Sequence, residues 1–128
     1  MTEKAKVLLV DDDIPLLRAI DRNLNIRFDT VMANSAAEAL ELLETSGPFA
    51  VMVSDVKMPG MDGIQLIQRT NERWPKMVSI ILTGNQEDET LVRARKARAF
   101  RFLSKPAPHM RLADAIDQAV LRHSTQNI

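Results

Sequence analysis

The chain contains no cysteine. That excludes disulfides, thiol nucleophiles and thiolate metal sites, and it mildly favours a reducing compartment. Neither charge is in excess, since 17 lysines and arginines balance 17 aspartates and glutamates. No overall field therefore draws the protein to nucleic acid or to an anionic membrane, and any electrostatic partner must act through a local cluster. No apolar run approaches the roughly 20 residues of a membrane-spanning helix, and the start from Met1 to Lys6 is polar and charged, unlike a signal-peptide core. A soluble cytoplasmic protein is expected. Repeats and low-complexity segments are also missing, and the two histidines, His109 and His123, belong to no motif.

What is present is a chain of 128 residues, enough for one domain with a real core. Apolar runs alternate five times with amphipathic stretches, the rhythm of an α/β domain. Val7 to Val10, Ala50 to Val53 and Val78 to Leu82 are nearly continuous apolar runs, as expected of parallel strands covered on both faces. Phe28 to Ala33 and Ala99 to Leu103 are interrupted by Asp29 and Arg101, which places them at sheet edges. Right-handed crossovers then give a doubly wound, five-stranded parallel sheet in the order 2-1-3-4-5, flavodoxin-like, with five helices.

The helical signals are equally regular. Asp13 can cap a helix carrying Leu17, Ile20 and Leu24 on one face, with Pro15 tolerated in its first turn. Ser35 and Glu38 have capping-box spacing, and Gly47 and Pro48 close that segment. Further helices are predicted over about 63–74, until Pro75, over 86–96, and over 110–122. The folded core is expected over about 5–122 of a single domain, 1–128, with 123–128 a polar tail or the start of a linker. The seven methionines are read as core filling.

Residues suited to handling a phosphoryl group stand at the ends of four of these strands: Asp11 and Asp12, then Asp55, Thr83 and Lys105. In an open parallel sheet such strand ends border one crevice at the switch point, here between strands one and three. Carboxylates gathered there repel one another and invite a cation. An oxygen-only set favours magnesium, with manganese as the alternative. Lys105 adds a fixed positive charge and Thr83 a hydroxyl donor. Such groups around one carboxylate suit the spread negative charge of phosphoryl transfer, with Asp55 the candidate nucleophile.

The same residues carry a family resemblance. Asp11-Asp12-Asp13 after strand one, the run Ser54 to Gly63 after strand three, Leu82-Thr83-Gly84 after strand four and Phe102 to Pro106 after strand five together resemble the receiver domain of bacterial two-component response regulators, similar to the stand-alone chemotaxis receiver. The resemblance implies that Asp55 accepts a phosphoryl group from a histidine kinase or phosphotransfer protein. It implies magnesium held by Asp11, Asp12, Asp55 and the backbone carbonyl of Lys57, with Thr83 and Lys105 engaging the phosphoryl group. It makes Thr83 and Phe102 the switch pair, biasing the face formed by helix four, strand five and helix five toward an output domain, a downstream protein or a second copy. It implies a cis Lys105–Pro106 bond, and a tuning role in hydrolysis for Lys57 and Asn85. No membrane contact or direct nucleic-acid binding is implied, and no conventional enzyme: the only chemistry is self-phosphorylation and autodephosphorylation. Arg98 stands where a glycine often precedes strand five, and Phe102 replaces the more frequent tyrosine.

Two other readings use the same residues. An aspartate-nucleophile phosphohydrolase would attack through Asp11 with Asp13 as acid, but leaves Asp55 and its turn without a role. A phosphate-independent module would not need the full acidic, threonine and lysine set. The basic stretch Arg93, Arg95, Lys96, Arg98 and Arg101 is either a solvated helix face or a contact for an acidic partner. No helix-turn-helix pattern supports DNA binding.

Overall fold

The computed structural model describes residues 3–84 and 87–126. Five parallel strands alternate with five helices: β1 (Lys6–Val10), α1 (Ile14–Leu24), β2 (Asp29–Ala33), α2 (Ala36–Ser46), β3 (Val51–Ser54), α3 (Gly63–Arg73), β4 (Val78–Thr83), α4 (Asp88–Lys96), β5 (Arg101–Ser104) and α5 (His109–Thr125). The sheet order is β2-β1-β3-β4-β5, as the edge and centre signals require. No described helix is long and apolar enough to cross a membrane.

The period-two alternation of strand side chains splits the core into two layers. Leu8, Val10, Met52 and Ile81 face α2, α3 and α4 through Ala39, Leu43, Ile64, Ile67 and Ala94. Val7, Leu9, Val51, Val53, Ile80 and Leu82 face α1 and α5 through Leu17, Leu24, Leu112, Ile116 and Ala119. All residues of β3 and β4 are buried, whereas the edge strands β2 and β5 expose Asp29 and Arg101. The methionines divide: Met52, Met58 and Met77 fill the core, but Met110 is 75% exposed and Met32 39%, so core filling holds for only part of the set.

Several boundaries differ from expectation for local reasons. Phe28 still donates to the Leu24 carbonyl, so β2 begins at Asp29. Strand five begins at Arg101 because α4 ends in a Schellman turn. Arg98 adopts a left-handed φ of 65°, its N–H bonds Arg95 O at 3.0 Å, and Ala99 N–H bonds Ala94 O at 3.1 Å. The Ala97 carbonyl in the same turn accepts from Asn71 Nδ2 at 2.7 Å. Helix α4 begins at Asp88; its expected first residue, Gln86, and Asn85 lie outside the described residues. Helix α5 continues through Thr125, so the first part of the expected tail is helical.

Two caps also differ. Ser35 accepts from Glu38 N–H, but the Glu38 carboxylate reaches the N–H of Asn34 rather than that of Ser35. The complete capping box is on α3, where Asp62 and Gln65 satisfy each other's backbone N–H groups.

Candidate functional site

The carboxyl ends of β1, β3, β4 and β5 bring together Asp11, Asp55, Thr83 and Lys105, and parallel register aligns them. Val10 pairs with Ser54, and Thr83 with Ser104, so the residues after each strand emerge side by side. The backbone ties this end of the sheet further: Asp11 N–H bonds Ala33 O, Asp55 N–H bonds Val10 O, and Lys105 N–H bonds Thr83 O at 2.9 Å.

The aspartate triplet performs three separate tasks. Asp13 caps α1 by accepting from Leu16 N–H, and Asp12 is exposed beside the pocket. Asp11 is buried, 3% exposed, and uses both oxygens: Oδ1 accepts from Asp13 N–H at 2.9 Å and Oδ2 from Lys105 Nζ at 2.7 Å. Asp55, 8% exposed, is held in the same manner, with Oδ1 on Val56 N–H at 2.7 Å and Oδ2 on Lys105 Nζ at 3.1 Å. One ammonium thus bridges the two buried carboxylates.

The charges balance against burial. Loss of solvation raises the Asp11 carboxyl above its ordinary value, against the hydrogen bonds from Lys105 and Asp13. For Lys105, burial favours the neutral amine, yet hydrogen bonds to Asp11 and Asp55 and their charges outweigh it, and the ammonium is held above its ordinary value. The lysine is therefore a permanent cation at neutral pH.

Oxygen atoms of Asp11, Asp12 and Asp55 lie within 4.8 Å of one another. Three carboxylates with no nitrogen or sulfur ligand suit a hard divalent cation. Lys57, two residues beyond Asp55, is exposed on the following loop. Thr83 is buried at the end of β4, and Phe102 is half-buried on β5, packed against the layer containing Met58 and Ala94.

Sequence reasoning missed the supports around Asp55. Ser54 Oγ donates to the Asp55 carbonyl at 2.9 Å. Gly63 N–H bonds Val56 O at 2.9 Å, which presses α3 against the loop. The Arg93 guanidinium on α4 bonds the second carboxylate oxygen of the α3 cap Asp62 at 2.8 Å, so Arg93 leaves the solvated basic stretch. The Asp-Gly pair carried a signal for the cap, but nothing local marked Arg93 as its partner.

A doubly wound sheet with an acidic pocket and a bridging lysine at its switch point defines a class of phosphoryl-handling signalling domain. The chain belongs to the response regulator receiver domain family, whose model matches residues 7–117. It is 33% identical over 119 residues to the hydrogenase transcriptional regulatory protein HoxA of Cupriavidus necator, covering 92% of this chain and 24% of that protein. It is 37% identical over 117 residues to the transcriptional regulatory protein GlrR of Escherichia coli, covering 91% and 26%. The chain thus spans about a quarter of the length of these curated relatives. Among solved structures, a CheY-like response regulator receiver domain protein from Methanospirillum hungatei superposes with a TM-score of 0.91 at 26% identity, covering 97% of this chain and 99% of that one.

Proposed function

We propose that Asp55 is the phosphoacceptor of this receiver domain, and that Asp11, Asp12, Asp55 and the Lys57 carbonyl hold magnesium, with manganese able to substitute. The observation that carries the reading is the Lys105 ammonium shared between Asp11 and Asp55 at 2.7 and 3.1 Å. A fixed cation thus stands beside Asp55, a buried carboxylate that follows the central strand β3 and borders the crevice.

In the proposed reaction the Asp55 carboxylate attacks the phosphorus of a phosphohistidine on a sensor kinase or phosphotransfer protein. An O–P bond forms, the N–P bond breaks, and the imidazole leaves as the neutral ring after taking a proton. Magnesium, when bound, supplies positive charge to the phosphoryl oxygens. Lys105 moves its hydrogen bond from Asp55 Oδ2 to a phosphoryl oxygen, and the Thr83 hydroxyl donates to another. The Val56 N–H keeps Asp55 oriented throughout. Water attack on the aspartyl phosphate ends the signal, so the chain's only chemistry is acceptance and self-dephosphorylation.

Movement of Thr83 toward the phosphoryl group opens space for the Phe102 ring to turn inward. The face of α4, β5 and α5 then changes its affinity for an output domain, a downstream protein or a second copy. Since the relatives are regulators about four times longer, an attached output domain is the favoured recipient, with residues 1–128 acting as one receiver unit. A cytoplasmic location fits a kinase partner. The domain itself is assigned neither membrane nor nucleic-acid contact.

Intact-mass spectrometry with acetyl phosphate tests this reading. One phosphoryl adduct is expected with magnesium or manganese, none in EDTA and none on Asp55→Asn. An adduct of equal yield on the variant would overturn it.

A further inference from the structure

At the opposite end of the sheet, a cleft of about 570 Å³ opens beside the starts of β4 and β5. Arg98, Arg101 and Arg122 contribute to its lining together with Phe100 and Ser79, and among the described residues no acidic one does. None of the three arginines makes an ion pair among the described residues, although this protein has as many acids as bases. The concentration of positive charge is therefore local, and it is not ion-paired among the described residues.

Two of the arginines are held against an aromatic ring. The Arg101 guanidinium lies 4.1 Å from the Phe100 ring centroid, and that of Arg122 lies 5.7 Å from the same ring. Arg101 is further fixed by bonds to the Phe100 carbonyl and to Gln118 Oε1, each at 3.0 Å. Arg98 is presented by the left-handed turn that ends α4, a conformation a non-glycine residue adopts at a cost. A stacked, planar guanidinium offers both a flat surface for an aromatic ring and a forked donor for phosphate.

We propose that this cleft is a second ligand site, for a nucleoside polyphosphate, distinct from the acidic pocket. The phosphates engage Arg98, Arg101 and Arg122. The base stacks on the guanidinium layer over Phe100. The cleft volume lies within the range of small-molecule sites. Three guanidiniums favour a di- or triphosphate over a monophosphate.

Isothermal titration of the full chain with ATP and GTP, in EDTA and about 0.15 M salt, tests the proposal without involving the acidic pocket. Saturable one-to-one binding is expected to at least one of the two. Arg101→Gln and Arg122→Gln should each weaken it by roughly tenfold. Arg111→Gln, on α5 outside the cleft lining, should leave it unchanged, and circular dichroism melts establish that each variant is folded. Competition by inorganic triphosphate at equal affinity would overturn the nucleotide assignment in favour of a phosphate-only site. Absence of saturable binding, or equal loss with Arg111→Gln, would overturn the site.

Discussion

A Cβ placed on Gly63 would lie 1.8 Å from the carbonyl oxygen of Asp55 and 2.9 Å from Ser54 Oγ. Helix α3 can start where it does only because this position has no side chain, and the contact fixes the backbone that carries the candidate phosphoacceptor. Gly63→Ala must push Asp55 or α3 aside. A loss of about 1 to 3 kcal/mol is expected from such overpacking, measured by urea unfolding, together with a fall in phosphoryl adduct yield. Unchanged stability would mean that the loop yields freely.

Arg98 holds a φ of 65° at the end of α4. The left-handed region costs a side-chain-bearing residue about 1 to 2 kcal/mol, part of which glycine returns through the greater freedom of its unfolded state. Arg98→Gly should therefore raise stability by about 0.5 to 1 kcal/mol. A lower urea midpoint would show that the arginine side chain contributes more than its backbone costs.

Lys105 is shared by two buried carboxylates. Lys105→Met keeps the length of the stem but leaves both acids without their cation. In EDTA a destabilisation of roughly 2 to 4 kcal/mol is expected, and magnesium should recover part of it by replacing the lost charge. Equal melting temperatures with and without magnesium in this variant would contradict a cation site at the acidic cluster.

Burial raises the Asp11 carboxyl above 3.8 despite its bonds to Lys105 and Asp13. The folded state then holds the Asp11 proton more tightly than the unfolded state does. This group's contribution to stability is complete below 3.8 and is lost as pH rises through the elevated value. At neutral pH without metal, Asp11→Asn should accordingly raise the melting temperature, while magnesium no longer shifts it. A lower melting temperature in EDTA would show that the Lys105 bond outweighs the cost of burying the charge.

The strand order was legible because burial leaves a compositional trace: β3 and β4 are buried throughout, while Asp29 and Arg101 mark strands with one wet side. The convergence of Asp11, Asp55, Thr83 and Lys105 followed from the same topology, since residues after parallel strands share one end of a sheet. Less visible were features set by contacts distant in sequence. Asp11 and Asp13 are two positions apart and chemically identical, yet one is buried under Lys105 and the other caps a helix. The end of α4 at Lys96 was legible, but the start of β5 was placed two residues early because the Schellman turn between them carries arginine where glycine is the usual signal. The need for glycine at position 63 was not legible because nothing local reveals that Asp55 lies against it.

The central claim is that the phosphoryl group is carried by Asp55. Phosphorylated chain reduced with borohydride converts an aspartyl phosphate to homoserine, and trypsin separates Asp55, in peptide 28–57, from Asp11, in peptide 7–18. Tandem mass spectrometry should find homoserine at position 55 alone. Homoserine at position 11 would contradict the account and favour an aspartate-nucleophile phosphohydrolase on the same fold.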